Sequence, residues 1–181
     1  MPTYVALLRG INVGGKNKVA MPELRSMFED LGHQEVVSYV QSGNIVFGSR
    51  SSAPTKLAAG IERAITGTFG LTVSVHLRTR RDLEGVVVGN PFITKGAEFT
   101  SLHVMFLADA PEGKALAKLD PDRSPPDEFE VRGREIYLHY PNGSGRSKLT
   151  TDYFERSLGT SATARNWNTI TKVLKLMQDM P

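Results

Sequence analysis

The order in which the hydrophobic period changes between Thr3 and Leu77 constrains this chain most. Thr3–Arg9 alternates weakly and stops at Gly10, as a strand does. Met21–Leu31 places Leu24, Met27, Phe28 and Leu31 at i, i+3, i+4 and i+7, the stripe of an amphipathic helix. Pro22 suits the first turn of that helix and Gly32 its C-terminal end. Val36–Val40 and Asn44–Phe47 are short, β-branched and aromatic, and Ser42-Gly43 between them predicts a tight hairpin turn. Lys56–Phe69 is a second helix, with Ser52 or Thr55 as its cap, a stripe of Leu57, Ile61, Ala64, Ile65 and Phe69, and Gly70 at its end. Leu71–Leu77 then alternates cleanly. Strand, helix, strand, strand, helix, strand is the split βαβ, or ferredoxin-like, order, with an antiparallel sheet covered by helices on one side.

The order then starts over. A short helix capped by Thr79 is broken at Asn90-Pro91-Phe92, and the stretch to about Ala97 is the expected seam. Leu102–Leu107 reads as a strand, Pro111–Leu119 as a short helix, and Phe129–Arg132 with Glu135–Tyr140 as a hairpin turning at Gly133. Helices follow near Asp152–Leu158 and around Trp167, Ile170, Val173, Leu174 and Met177, with Arg165 and Asn166 at the start of the last one. The expectation is an α+β chain of two tandem ferredoxin-like halves, 1–97 and 98–181, the second without a closing strand.

Composition narrows the chemistry. The 181 residues contain no cysteine, which excludes disulfides, thiolate metal sites, iron–sulfur clusters and a cysteine nucleophile. The net charge is +3, unevenly placed: residues 109–135 hold eight acids against five bases, so both flanking segments are basic. That distribution suits a phosphate-bearing or carboxylate ligand, and equally a solvated surface. The first residues do not read as a signal peptide and no stretch reaches the ~20 apolar residues of a membrane span, so the expected location is cytoplasmic, away from membranes.

Gly10-Ile-Asn-Val-Gly-Gly-Lys16 follows a strand and precedes a helix, and matches the Gly-x4-Gly-Lys half of a phosphate-binding loop. Asn17 stands where a magnesium-binding Ser or Thr belongs, and Pro22 starts the helix too late to aim its dipole at the loop. What remains is a basic Gly-rich loop with Arg9, Lys16 and Lys18 and no acid between them, able to hold an anion through lysines and backbone amides. The alternative is a tight turn with solvated lysines. Pro141–Lys148 is a second Gly-rich basic loop; its Ser147-Lys148 pair is adjacent in sequence, which does not orient the hydroxyl toward the amine. His33, His76, His103 and His139 lack ligand spacing, so no metal site is expected. There is no Gly-x-Ser-x-Gly elbow and no aromatic run of the kind that stacks RNA bases.

Two further stretches are unusually polar: Gln41-Ser-Gly-Asn44 across the hairpin turn, and Arg165-Asn-Trp-Asn-Thr169 around the single tryptophan. Turn geometry for Asn44, helix capping for Asn166 or Asn168, and core packing for Trp167 would account for them. Together with Leu8–Asn17, Tyr39–Phe47, Asn90–Phe92 and Thr163–Thr169, they resemble the hallmark segments of a bacterial family, the domain of unknown function 1697. The resemblance spans nearly the whole chain and departs at Ala164, where the pattern usually runs straight from Thr to Arg. It implies two ferredoxin-like halves and supplies no activity, so no catalytic residue and no cofactor is carried over.

The resemblance also groups the polar segments. If they converge, Arg9, Asn12, Lys16, Lys18, Gln41, Asn44, Lys148, Arg165 and Asn166 line one site suited to phosphate or base edges. The expected ligand is then a phosphorylated small molecule or a nucleic acid. The alternatives are an enzyme of phosphoryl or acyl transfer using the same cleft, and a structural or oligomerising protein.

Overall fold

The structure, a computed structural model, describes residues 1–181. Its backbone divides into two units, Met1–Gly85 with Thr171–Pro181, and Val86–Ile170. Each contains one four-stranded antiparallel sheet.

In the first unit the elements are β1 (Thr3–Leu8), α1 (Met21–Asp30), β2 (Gln34–Tyr39), β3 (Asn44–Gly48), α2 (Pro54–Phe69) and β4 (Val75–Thr79). The sheet order is β2-β3-β1-β4. Alternation along the strands sends Tyr4, Ala6, Leu8, Ile45, Phe47, Val75 and Leu77 into one core with Leu24, Phe28, Ile61 and Ile65 of the helices. β4 begins later than the alternation of Leu71–Leu77 predicts. Its pairing is limited by β1, whose last register pair is Leu8 with Val75, so Leu71 and Val73 pack on the core without joining the ladder. α2 starts at Pro54, and neither Ser52 nor Thr55 caps it.

α3 (Arg80–Val88) opens with a reciprocal cap: the Asp82 N–H donates to Thr79 Oγ1 and the Thr79 N–H to Asp82 Oδ2. The second unit continues with α4 (Pro91–Thr94), capped by Asn90, then β5 (Leu102–Leu107), α5 (Gly113–Leu116), β6 (Glu128–Arg132), β7 (Glu135–His139), α6 (Thr151–Leu158) and β8 (Ala162–Asn166), with α7 (Trp167–Asp179) running out of it. Its sheet order is β6-β7-β5-β8, and Met105, Leu107, Ile136, Leu138, Phe154 and Leu158 share its core.

β8 corrects the expectation that the second half lacks a closing strand. Ala162–Asn166 pairs with β5 from Leu107 opposite Ala162 to His103 opposite Asn166. Arg165 and Asn166 therefore end a strand, and the helix begins only at Trp167, where Asn166 Oδ1 accepts from the Thr169 N–H. Trp167 is buried, as its phase with Ile170 and Leu174 predicts.

Candidate functional site

The loop after β1 is built from residues that tolerate left-handed backbone. Gly10, Asn12, Gly14, Gly15 and Asn17 all have positive φ, between 51° and 74°, a region open to Gly and, less readily, to Asn. Asn17 Nδ2 donates to the Gly10 carbonyl and the Asn12 N–H to the Asn17 carbonyl, closing the base of the loop. A tight turn pairs Val13 with Lys16 at its tip. α1 begins only at Met21, so its N-terminus is not aimed into this loop as in a nucleotide-binding P-loop.

The hairpin turn between β2 and β3 packs directly on this region. The Leu8 N–H donates to the Gly43 carbonyl at 2.9 Å. A Cβ on Gly43 would lie 2.9 Å from Leu8 Cβ and 3.3 Å from Ile11 Cβ, and Gly43 has φ 79°. Glycine is required here on both counts.

Asn12 fastens the two loops together. Its Nδ2 donates to the Gln41 carbonyl at 2.8 Å and to the Val19 carbonyl at 3.0 Å, while its Oδ1 accepts from the Val19 N–H at 2.8 Å. The result is an open groove of about 420 Å³ lined by Asn12, Gly15, Lys18, Val19, Ala20 and Gln41. None of the lining residues is acidic. Lys16 and Lys18 are exposed.

Of the residues predicted to form one site, Arg9, Asn12, Lys16, Lys18, Gln41 and Asn44 belong to the first unit, and Lys148, Arg165 and Asn166 to the second. Asn12, Lys18 and Gln41 meet at the groove; Lys16 lies in the same loop, at its turn. Arg9 is half-buried just before the loop, and its N–H donates to the Ser74 carbonyl. Asn44 is fully buried, with Nδ2 donating to the Tyr39 carbonyl and to Ser42 Oγ, so it shapes the hairpin rather than facing a ligand. Arg165 is buried as well. Its guanidinium donates to Thr163 Oγ1 at 2.7 Å and to the Ala164 carbonyl at 2.8 Å. Burial draws its pKa down to about 10, which leaves it charged at neutral pH. Asn166 is occupied as the cap of α7.

Lys148 sits in the second Gly-rich loop, which is tied down through groups the sequence did not single out. Its N–H donates to Ser124 Oγ, and its carbonyl accepts from Arg123 Nε at 2.9 Å. The Arg123 guanidinium lies 3.9 Å from the Tyr153 ring centre. Ser147 Oγ accepts from the Leu149 N–H and lies 3.5 Å from Ser124 Oγ. No signal in the sequence links Arg123 to Tyr153 or Ser124 to Lys148, because each pair is separated by more than twenty residues. The groove residues Val19 and Ala20 were likewise missed, because apolar side chains between a loop and a helix carry no binding signal in the sequence.

The histidines have separate environments. His33 packs against Phe47 with the rings tilted by 41° and their centres 4.6 Å apart, His103 meets Tyr140 edge-on at 5.1 Å, and His139 Nδ1 lies 3.7 Å from Glu128 Oε1. His76 is buried. No cluster of three or more His, Asp or Glu side chains is placed to hold a metal ion. No helix is long and apolar enough to cross a membrane.

No curated protein matches the sequence. Among solved structures, the chain is similar to a conserved bacterial protein from Streptococcus pneumoniae, with 26% sequence identity, a TM-score of 0.72, and coverage of 97% of this chain and 98% of that one. The family model described as protein of unknown function (DUF1697) matches residues 1–137, which include the Gly-rich loop, the hairpin turn and the groove between them; the chain belongs to that family.

Proposed function

We propose that the chain is a binding module for an anionic ligand, a phosphorylated small molecule or a nucleic acid, held in the groove between the Gly-rich loop and the β2–β3 turn. The observation that carries this reading is the groove itself. Two segments about thirty residues apart are held together by Asn12 around a hollow whose only charged lining residue is Lys18. Lys16 and Lys18 supply charge, Gln41 supplies an amide, and Gly14 and Gly15 present backbone N–H groups that no protein acceptor engages. Asn12, Asn44 and Gly43 hold the frame, and Arg9 flanks it. The reading does not use Lys148, Arg165 or Asn166. It belongs with a fold reading of the same kind: halves 1–97 and 98–181 as tandem ferredoxin-like plans, supported by the matching permutation of strands in the two sheets.

A thermal-shift screen against nucleotides, sugar phosphates and short oligonucleotides tests the function. A ligand selective for the folded state raises the melting temperature by mass action. The Lys16→Ala, Lys18→Ala double variant should fold normally and lose that rise, and binding should weaken steeply with salt if several phosphates are contacted. A second reading, that the polar hallmark residues serve only to knit the fold, is favoured by the internal hydrogen bonds of Asn12, Asn44 and Arg165. It predicts no stabilising ligand anywhere in the screen.

A further inference from the structure

We propose that the first unit carries a second small-molecule site, beside α2, that takes a short aliphatic carboxylate. The starting point is Gly60. Glycine inside a helix is destabilising relative to alanine, and no close packing requires it here. A Cβ at this position would meet only the Arg63 guanidinium, at 4.0 Å. What the missing side chain leaves open is a groove of about 200 Å³, distinct from the one at the Gly-rich loop and sharing no residue with it.

The walls have complementary chemistry. Leu31, exposed, and the edge of Leu57 give an apolar side, with Ile61 buried behind them. Lys56 and Arg63 bracket Gly60 at i−4 and i+3, on one face of the helix. The Lys56 ammonium has no carboxylate partner. Across the groove, His33 packs at a tilt against Phe47 and Phe28, and neither of its ring nitrogens makes a hydrogen bond within the protein. Burial keeps this imidazole below its ordinary pKa, so at neutral pH it offers one N–H donor and one acceptor. The hollow is smaller than the ~300–1,000 Å³ of sites for drug-sized ligands, which limits the occupant to a few carbons. A carboxylate would lie between Lys56 and His33, with its alkyl tail on Leu31 and the exposed edge of Leu57.

The test is an NMR titration of the full chain with sodium butyrate against sodium chloride at matched ionic strength, reading the His33 ring and Gly60 amide signals. Saturable shifts at both are expected with butyrate alone. Lys56→Ala should weaken binding about tenfold, the effect of losing one charge-assisted contact. Gly60→Leu should abolish it without lowering the melting temperature, since leucine is the better helix former. The Lys16→Ala, Lys18→Ala variant should bind butyrate normally, which separates this site from the loop groove. Shifts that do not saturate, Gly60→Leu binding as tightly as the natural sequence, or inorganic phosphate binding equally well would each overturn the proposal. Should Gly60→Leu fold poorly, Lys56→Ala decides alone: unchanged butyrate affinity refutes the site.

Discussion

Replacing Asn12 with alanine removes the fastening between the Gly-rich loop and the hairpin turn. Three hydrogen bonds are lost, to Gln41 O, Val19 O and from Val19 N. Each contributes a net ~0.5–1.5 kcal/mol, the exposed bond to Gln41 at the low end. Alanine must also hold φ near 55°, where asparagine is tolerated and alanine costs ~1 kcal/mol more. The expected destabilisation is about 3 kcal/mol, or a fall in melting temperature of roughly 6–12 °C for a chain of this size. Asn12→Gly loses the same bonds but accepts the left-handed backbone, so it should be about 1 kcal/mol less harmful. Urea unfolding followed by far-ultraviolet circular dichroism measures both. If Asn12→Ala lies within about 0.5 kcal/mol of the natural sequence, Asn12 does not fasten the loops and the groove is not a built feature. If glycine is worse than alanine, the left-handed backbone at position 12 contributes no strain in the alanine variant.

Other substitutions probe the same frame from different sides. Gly43→Ala forces a Cβ to 2.9 Å from Leu8 Cβ at φ 79° and should cost about 2–4 kcal/mol, read as a lowered urea midpoint. Arg165→Ala leaves Thr163 Oγ1 and the Ala164 carbonyl without their guanidinium donor and should lower stability by about 2–4 kcal/mol, while any phosphate ligand of the loop groove binds unchanged. Burial lowers the pKa of His33 and His103 from 6.5, so below that pH the unfolded chain binds more protons than the folded one. Stability should therefore fall as pH drops from about 6.5, and His103→Phe should flatten that slope in denaturation series at several pH values.

Much of the fold was legible because its segments carry clean periods. β1, β3 and β5 are apolar runs, and α1 and α2 have unbroken stripes ended by Gly32 and Gly70. β8 was not legible. Ala-Thr-Ala-Arg-Asn has no large apolar residue to alternate, and it runs directly into the helical period that starts at Trp167. It is a strand because β5 offers an open edge to pair with, which is a tertiary fact. The candidate groove was legible only in part. Composition marked the Gly-rich loop, and the family resemblance grouped it with the hairpin turn. The bonds that join them run from the Asn12 side chain to backbone groups, and backbone groups leave no mark in a sequence. The burial of Arg165 was not legible for a related reason: an arginine offered to solvent and one buried against its own strand read identically until burial is known.

An anion held at the Gly-rich loop would be read out by an amide chemical-shift titration with the best-stabilising phosphate compound at two salt concentrations. Shifts centred on Gly14, Gly15, Lys18 and Gln41, saturating at low salt, weakening at high salt and absent in the Lys16→Ala, Lys18→Ala variant, are the predicted result. Shifts scattered over the surface without saturation, or a saturable set lying away from these residues, would contradict it.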